Sequence, residues 1–257
     1  MKKILVLFAA TIILISGLTT RASDYSTELP VKIVLFPIHE SVLSGQVNSV
    51  LIKFLFKAGE SFKKGDIIAK LDSSRYLQFK EQSESEYSES LKTLEYFNHV
   101  LKGNMELFKK GMQGEQEVAK NRLDVERAAA GVRKAKAKLK LSEIDFDACS
   151  IKAPYSGRFV QKLINEYEFV RTGQALCSII EDEQLLAVMN LPEKMLNKVK
   201  IGQQLKVKLD QNGKTIVGKI FTIAADLDYS SHTFEVKAIV QNKAHSLKAG
   251  MTGILLK

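Results

Sequence analysis

Cysteine and histidine are the residue types in this 257-residue chain with the greatest capacity for nucleophilic or metal chemistry. A zinc or catalytic site needs several such side chains at short, regular spacings or within a recognisable motif. The histidines are scattered along the chain with no ligand spacing: His39, His99, His232 and His245. No nucleophile elbow, phosphate-binding loop or dinucleotide-binding glycine motif occurs. The sequence therefore assigns no catalytic residue, no metal site and no cofactor.

The two cysteines, Cys149 and Cys177, each lie in a segment that we expect to form a buried strand. In an exported protein two cysteines can form a disulfide. Buried cysteines also occur as free thiols that pack as small apolar side chains. We expect two buried free thiols, and pairing stays open because the sequence does not show the distance between the two Cα atoms.

Charged residues cluster in two places. Glu84, Glu86 and Glu89 lie close together in one predicted helix, where a solvated face explains them. A second predicted helix carries a run of lysines: Lys134, Lys136, Lys138 and Lys140. A solvated helix face near a helix C-terminus also explains the lysines, and the weaker alternative is attraction to acidic lipid headgroups or an acidic partner. The formal net charge is +9, which could suggest a nucleic-acid partner. The N-terminal segment has the pattern of an export signal, and an exported chain has little access to nucleic acid, so we expect no nucleic-acid partner.

A long helical segment from about residue 74 to 146 would carry these charged clusters. Apolar side chains recur every three or four residues in both of its arms, which is the pattern of a coiled-coil seam. In the first arm the seam is Tyr87, Leu91, Leu94, Asn98, Leu101, Met105 and Phe108. In the second arm it is Val118, Asn121, Val125, Ala128, Val132, Ala135, Leu139 and Ser142.

The break between the two arms, at 111–114, predicts how they pack. Gly111 and Gly114 bracket a connection too short to carry the chain to the far end of its partner, so the arms must fold back antiparallel. An α-hairpin of this length would extend on the order of 50 Å. That length fits contact with a distant partner, and it equally fits a two-helix spacer or dimerisation coil.

The N-terminal segment 1–22 has the pattern of a secretory signal peptide. Lys2 and Lys3 precede an apolar run at 4–18, and small residues follow near position 22. This arrangement predicts export and cleavage before Ser23, with an uncleaved inner-membrane anchor as the alternative. No later apolar run is long enough to span a bilayer, so we expect the mature chain to be soluble or peripheral to the membrane.

The segments on either side of the helices form an internal repeat. Shifting the first by 108 residues places Gly59 on Tyr167 and Gly65 on Gly173, with the apolar pattern in agreement and no gap. A unit of about 30 residues is too small to bury a core alone, so the two halves should pack together, with the hairpin inserted between them. Glycine is expected at tight turns of positive φ, and the candidate turn residues are Gly59, Gly65, Gly111, Gly114, Gly157 and Gly173.

Short strands account for the rest of the chain. A lead-in strand at 30–36 should end at Pro37, and a strand at 185–189 should be followed by a short helix and several further strands. The pair Asn212-Gly213 predicts a type I′ hairpin. These strands indicate a compact antiparallel barrel. The predicted organisation is 1–22 signal peptide, 23–41 lead-in strand, 42–72 first β-half, 73–148 hairpin, 149–182 second β-half and 183–257 barrel.

Five segments carry a resemblance to a known family. They are 59–72 (GESFKKGDIIAKLD), 151–157 (IKAPYSG), 201–203 (IGQ), 218–220 (GKI) and 247–251 (LKAGM). Together they make the chain resemble the periplasmic adaptor, or membrane fusion protein, family of Gram-negative efflux and secretion systems, the HlyD-like group with its RND-type adaptor subunits. The resemblance covers nearly all of the mature chain, and the run at 151–157 directly after the hairpin is its most specific part.

The resemblance implies an α+β fold: an elongated modular protein with a lipoyl-like β-sandwich split by a long antiparallel α-helical hairpin, followed by a small antiparallel β-barrel. It also implies a non-enzymatic periplasmic adaptor. Such an adaptor would link an inner-membrane transporter of RND or ABC type to an outer-membrane TolC-like channel, and several copies would form a ring that helps to seal the conduit. A lipoate or biotin carrier is not favoured, because the helical insertion occupies the position of the modified lysine.

The hairpin tip departs from the family pattern. Adaptors that dock on TolC-like channels carry Arg, Leu and Ser at positions that correspond here to Gly103, Leu107 and Gly114. Only the leucine matches, so the tip lacks the arginine and the serine of the usual direct contact. The sequence given also ends at Lys257, after the barrel, whereas many adaptors continue into a membrane-proximal domain, so the transporter class stays open.

Candidate partner-contact residues at the tip are Leu107, Lys110, Met112 and Gln113. Phe108 is a further candidate, although closure of the coiled-coil end explains it better. The competing function is an envelope scaffold or coiled-coil interaction protein that uses the same rod without serving transport.

Overall fold

The computed structural model describes residues 30–256, so the predicted signal peptide at 1–22 lies outside the described residues. All features below belong to the unit that begins at Val31. Its helices are α1 (Ser74–Lys109) and α2 (Glu115–Asp147). The first six strands are β1 (Lys32–Ser44), β2 (Ser49–Phe54), β3 (Ser61–Phe62), β4 (Ile67–Leu71), β5 (Ser150–Lys152) and β6 (Gly157–Lys162). The remaining strands are β7 (Phe169–Val170), β8 (Ala175–Pro192), β9 (Gln204–Leu209), β10 (Thr215–Ile223), β11 (Thr233–Gln241) and β12 (Thr252–Leu256).

The helices α1 and α2 pack against each other as a pair, and every predicted seam residue of α2 lies on its less exposed face. The predicted seam of α1 is wrong at three positions, because Leu91, Asn98 and Phe108 are exposed. Ser90 and Phe97, which are less exposed, take the places of Leu91 and Asn98. Burying Asn98 would remove its amide from water and require a hydrogen-bond partner, whereas Phe97 gains free energy from burial. The helix is therefore rotated toward Phe97.

The long strands β1 and β8 pair with each other along most of their length. They contribute to both β-units, which are the two repeat halves packed together and the set of strands that follows them in the chain. The prediction that Pro37 ends the first strand is wrong: β1 continues to Ser44, with an irregularity in the pairing between Pro37 and His39. Proline has no N–H for the ladder, which explains why the irregularity occurs there. The boundary expected between 182 and 183, where the second β-half should give way to the barrel, falls inside β8, so no loop separates the two there.

The internal repeat is reproduced in the backbone. Strand β2 and strand β6 have the same bounds after a shift of 108 residues, and so do β3 and β7. Each two-residue strand pairs with the six-residue strand of the other half. Strand β7 pairs with β2 through Val170 and Ser49, and β3 pairs with β6 through Phe62 and Gly157. The two halves therefore interlock around one core, whose fully buried side chains include Leu51, Ile68, Val170, Leu176 and Ile179.

A second core lies among the remaining strands. Six strands pair in the closed order β1-β12-β9-β10-β11-β8, because β1 pairs with both β12 and β8. The inward side chains alternate along each strand, and they include Ile33, Leu35, Leu185, Val207, Phe234 and Val236. The type I′ prediction is wrong in detail, since five residues, Asp210 to Lys214, join β9 to β10 and only Gly213 among them has positive φ. The prediction of a mixed fold with a helical pair and antiparallel sheets is confirmed.

Candidate partner-contact surface

The hairpin tip is built by a helix C-cap that reverses the chain. Helix α1 is capped at Lys110, and Gly111 has a φ of +70°. The N–H of Gly111 donates to the carbonyl of Phe108 at 2.9 Å, and the N–H of Met112 donates to the carbonyl of Leu107 at 2.9 Å. This is the Schellman pattern, in which a left-handed residue after the cap satisfies the last helical carbonyls. Gly111 is needed because most side chains disfavour that conformation.

The cap brings the predicted tip residues together and leaves them exposed. The exposed fractions of Leu107, Phe108 and Met112 are 40%, 45% and 72%. Lys110 is exposed beside them, and Gln113 is half-buried. An apolar tip with an adjacent cation is suited to packing into an apolar pocket that carries acidic groups. The exposure of Phe108 means that it does not serve as a buried plug of the coiled-coil end.

The predicted turn glycines fall into two groups. Gly59, Gly65 and Gly173 lie far from the tip in the β-halves, and each has a φ between +85° and +89°. Gly114 is the extended N-cap residue of α2 with a φ of −83°, so it needs no glycine for its conformation. Gly157 begins strand β6, and its Cα faces the carbonyl of Ile180 with no room for a Cβ. Close approach, rather than a turn, requires glycine at Gly157.

The side chains with chemical potential do not form a reactive site. Cys149 and Cys177 are both buried free thiols. Burial raises the pKa of Cys149 to about 11 and the pKa of Cys177 to about 12, so both stay protonated at neutral pH. Among residues 30–256, no group of three or more histidine, cysteine, aspartate or glutamate side chains is placed to hold a metal ion. In the same part of the chain, no helix is both long enough and apolar enough to cross a bilayer.

Sequence reasoning missed one surface feature and gave too little weight to another. An exposed apolar patch on the closed strand set consists of Ile201, Val217 and Phe221. Its signal was present, since Val217 and Phe221 are apolar residues on the polar-facing side of β10. The second feature is the charge of the hairpin: the carboxylates of α1 and the cations of α2 lie at the same height, where Lys138 Nζ is 2.6 Å from Glu86 Oε2.

Two family models match the chain. The model described as "RND MFP, barrel-sandwich hybrid domain" matches residues 41–182, which include both β-halves and the hairpin. The model described as "CusB-like, beta-barrel domain" matches residues 187–255.

Proteins with similar sequences include NolF and MdtA. Nodulation protein NolF of Rhizobium meliloti (strain 1021) is 21% identical over 234 residues, which cover 91% of this chain and 64% of NolF. Multidrug resistance protein MdtA of Escherichia coli (strain K12 / DH10B) is 23% identical over 211 residues, which cover 79% of this chain and 51% of MdtA. The chain thus spans about half to two thirds of the length of these relatives.

Solved structures share the fold. The membrane fusion protein Spr0693 from Streptococcus pneumoniae R6 matches with a TM-score of 0.70 at 16% identity, covering 88% of this chain and 99% of that chain. A chimeric protein of MacA with the α-hairpin domain of Pseudomonas aeruginosa MexA matches with a TM-score of 0.62 at 20% identity, covering 88% of this chain and 78% of the chimera. At these identities the likeness concerns the fold alone.

Proposed function

Because the chain belongs to the RND membrane fusion protein (MFP) family, we propose that it is a non-enzymatic periplasmic adaptor of a tripartite efflux or secretion pump. The observation that carries this proposal is the family's barrel-sandwich hybrid match over 41–182, a range that contains the whole hairpin. The sequence resemblance to membrane fusion proteins is thereby confirmed.

We assign the modules as follows. The β-halves at 42–72 and 149–182 form a lipoyl-like sandwich, and the segment 183–257 forms a small β-barrel domain. The interlocked pairing of β2 with β7 and β3 with β6 supports the sandwich. The closed pairing order of six strands and the match to a beta-barrel family support the barrel.

The hairpin is the element that reaches the distant partner. Helix α1 has 36 residues, which corresponds to about 54 Å at the helical rise. Its exposed tip, with Leu107, Lys110, Met112 and Gln113, would contact an outer-membrane TolC-like channel. The exposed apolar character of Leu107 and Met112 supports a contact role, and the similarity to MdtA, a multidrug resistance protein, supports an efflux context.

The opposite end of the molecule would serve the inner-membrane transporter, of RND or ABC type. The exposed patch of Ile201, Val217 and Phe221 on the barrel segment is a surface suited to such a partner. Several copies would form a ring, because one rod cannot enclose a passage. The protein would reach the periplasm through its N-terminal signal peptide at 1–22 and act peripherally to the membrane.

Photocrosslinking in cells tests the tip contact. A photoreactive residue replaces Met112, and the same residue replaces Tyr229 on the barrel segment as a control, because Tyr229 is also highly exposed. We expect Met112, but not Tyr229, to capture an outer-membrane channel. Capture at Met112 of only unrelated envelope proteins would contradict the adaptor function and favour the scaffold.

A further inference from the structure

The outer face of the barrel segment contains a groove, called here the barrel groove, with a volume of about 620 Å³. This volume lies in the range of small-molecule sites. Its apolar wall includes Ile201, Val217 and Phe221, whose exposed fractions are 71%, 51% and 58%. The solvated face of an antiparallel sheet is normally polar. Large apolar side chains at these outward positions therefore indicate a binding surface.

The backbone holds this apolar wall in place. The pairing of β10 with β11 is irregular at Phe221, which is an extra residue between two paired positions. An irregularity of this kind redirects the side chain of the extra residue. Beside it, the N–H of Gly202 donates to the carbonyl of Ile220 at 2.8 Å, and the N–H of Ile220 donates to the carbonyl of Gln203 at 2.8 Å. These bonds keep Ile201 next to β10, so the wall is formed before any ligand binds.

The polar side chains of the groove lie close together on neighbouring strands. Lys219 of β10 pairs with Gln204 of β9, and Gln241 of β11 pairs with Gln184 of β8. All four residues line the groove. Side chains of directly paired residues stand about 5 Å apart, so one small polar group can contact several of them.

These polar side chains have no partner within residues 30–256. The amides of Gln184, Gln204 and Gln241 make no hydrogen bond there, and the ammonium of Lys219 makes no ion pair. No carboxylate is among the described residues that line the groove. Amide and ammonium groups both donate hydrogen bonds, and the only charge in the lining is positive. The groove is therefore complementary to an acidic group attached to an apolar body.

From this complementarity we propose that the barrel groove binds an amphipathic organic anion, a small molecule with a carboxylate or sulfonate group and an apolar body. Lys219 and the glutamine amides hold the acidic group through charge-assisted hydrogen bonds. Val217 and Phe221 pack against the apolar body, and the ring of Phe221 offers a flat contact surface. A cation of the same shape binds less tightly, because Lys219 repels it.

The apolar contact and the charge contribute unequally to the affinity. An ion pair at an exposed lysine is weak and is screened by salt, so Lys219 should contribute about fivefold at low ionic strength and less as salt is added. The apolar contact should contribute more, because its free energy grows with the area removed from water.

A bound anion would cover part of the patch of Ile201, Val217 and Phe221. We assign the same patch to the inner-membrane transporter, so the anion and the transporter would compete for it. This competition rests on the proposed function. The ligand site itself goes beyond that function and depends only on the groove.

Calorimetric titration of the purified protein tests the site with dodecanoate as the anion. Dodecyltrimethylammonium, which has the same apolar chain and the opposite charge, is the matched ligand control. We expect dodecanoate to bind about tenfold more tightly than the cation. Lys219→Gln should weaken dodecanoate binding about fivefold without weakening the cation. Phe221→Ala should weaken dodecanoate binding about tenfold.

Phe36→Ala and Lys248→Gln are the matched control variants, since both side chains are exposed and lie outside the groove lining. They should leave the affinity unchanged. Circular dichroism verifies the fold of each variant, and Val217→Ser is a second apolar variant with the same expected direction as Phe221→Ala. The proposal is overturned if dodecanoate does not bind, if it binds no better than the cation, or if none of the groove variants lowers its affinity.

Photocrosslinking separates the ligand site from the adaptor function. A photoreactive residue at Val217 should capture the transporter, and dodecanoate should reduce this capture without changing the capture of a channel at Met112. Dodecanoate binding without any transporter captured at Val217 supports the ligand site and rejects the transporter contact. Transporter capture that is unchanged by saturating dodecanoate rejects the competition.

Discussion

The guanidinium of Arg158 donates to the carboxylate of Asp182 over 2.6 Å, and this pair ties strand β6 to the long strand β8. Asp182 is almost fully buried, and the same oxygen lies 3.0 Å from His245 Nδ1. The carbonyl of Asp182 accepts from the side-chain amide of Asn242 at 2.8 Å. Asp182 thus contacts residues of both β-units at the point where β8 passes from one to the other.

Asp182→Asn should lower the free energy of unfolding by about 2 kcal/mol, because Arg158 loses its anionic partner and the new amide nitrogen would take the place of Oδ1, a buried atom with no hydrogen-bond partner among residues 30–256. Urea denaturation followed by circular dichroism measures the change. Glu183→Gln is the matched control, since Glu183 is exposed, and its effect should stay within about 0.5 kcal/mol. Equal stabilities of the two variants would contradict a structural role for the pair.

Gly59 and Tyr167 occupy equivalent positions of the repeat, and both have positive φ, +87° and +70°. A side chain at Gly59 meets no neighbouring atom, so Gly59→Ala should cost about 1 kcal/mol from backbone conformation alone. Tyr167→Gly should be neutral or stabilising by up to about 1 kcal/mol, because it relieves the same strain while making the unfolded chain more flexible. A lower unfolding temperature for Gly59→Ala, beside an unchanged or higher one for Tyr167→Gly, would support this explanation. Equal losses of stability in the two variants would contradict it.

Gly157→Ala should destabilise the chain far more than Gly59→Ala. The added Cβ would collide with the backbone carbonyl of Ile180, which belongs to a paired strand and has little freedom to move. We expect a loss of about 3 kcal/mol. Gly131→Ala is the control: the site is an open helix position, where alanine should stabilise by about 0.5–1 kcal/mol. Similar effects of the two substitutions would refute the close-approach explanation.

The thiols of Cys149 and Cys177 should be unreactive in the native chain. An aromatic disulfide reagent should label neither thiol in native buffer at pH 8 and both in denaturant, because burial and a raised pKa suppress the thiolate. Rapid labelling of the folded protein would show that one of the strands opens or that the thiols are accessible.

The raised thiol pKa values also predict a dependence of stability on alkaline pH. Between roughly 8.5, the unfolded pKa of a thiol, and the native values of about 11 for Cys149 and about 12 for Cys177, the native state holds protons that the unfolded state has released. Stability is therefore complete below about pH 8.5 and falls as the pH rises through this window. Denaturation midpoints from pH 8 to 11 measure it, and the fall should be smaller in a Cys149→Ala, Cys177→Ala variant.

The sequence alone determined the order of the modules. The spacing of apolar residues in α2, the two-glycine break and the repeat at 108 residues are local or periodic signals, and each follows from helical geometry or from the tight turns at Gly65 and Gly173. The same signals placed Leu107 and Met112 at a hairpin tip. They carry no information on partners beyond the sequence motifs of the family.

Only the tertiary structure decided features that depend on residues distant in sequence. The rotation of α1 toward Phe97 is visible only once α1 packs on α2, and the continuity of β8 through 180–184 follows from its pairing with β1 and β11. The need for glycine at position 157 comes from the carbonyl of Ile180, and the opposed charge of the two hairpin faces appears only when Glu86 and Lys138 meet. A sequence pattern reports the preference of each segment, whereas packing selects among these preferences by burial, pairing and charge.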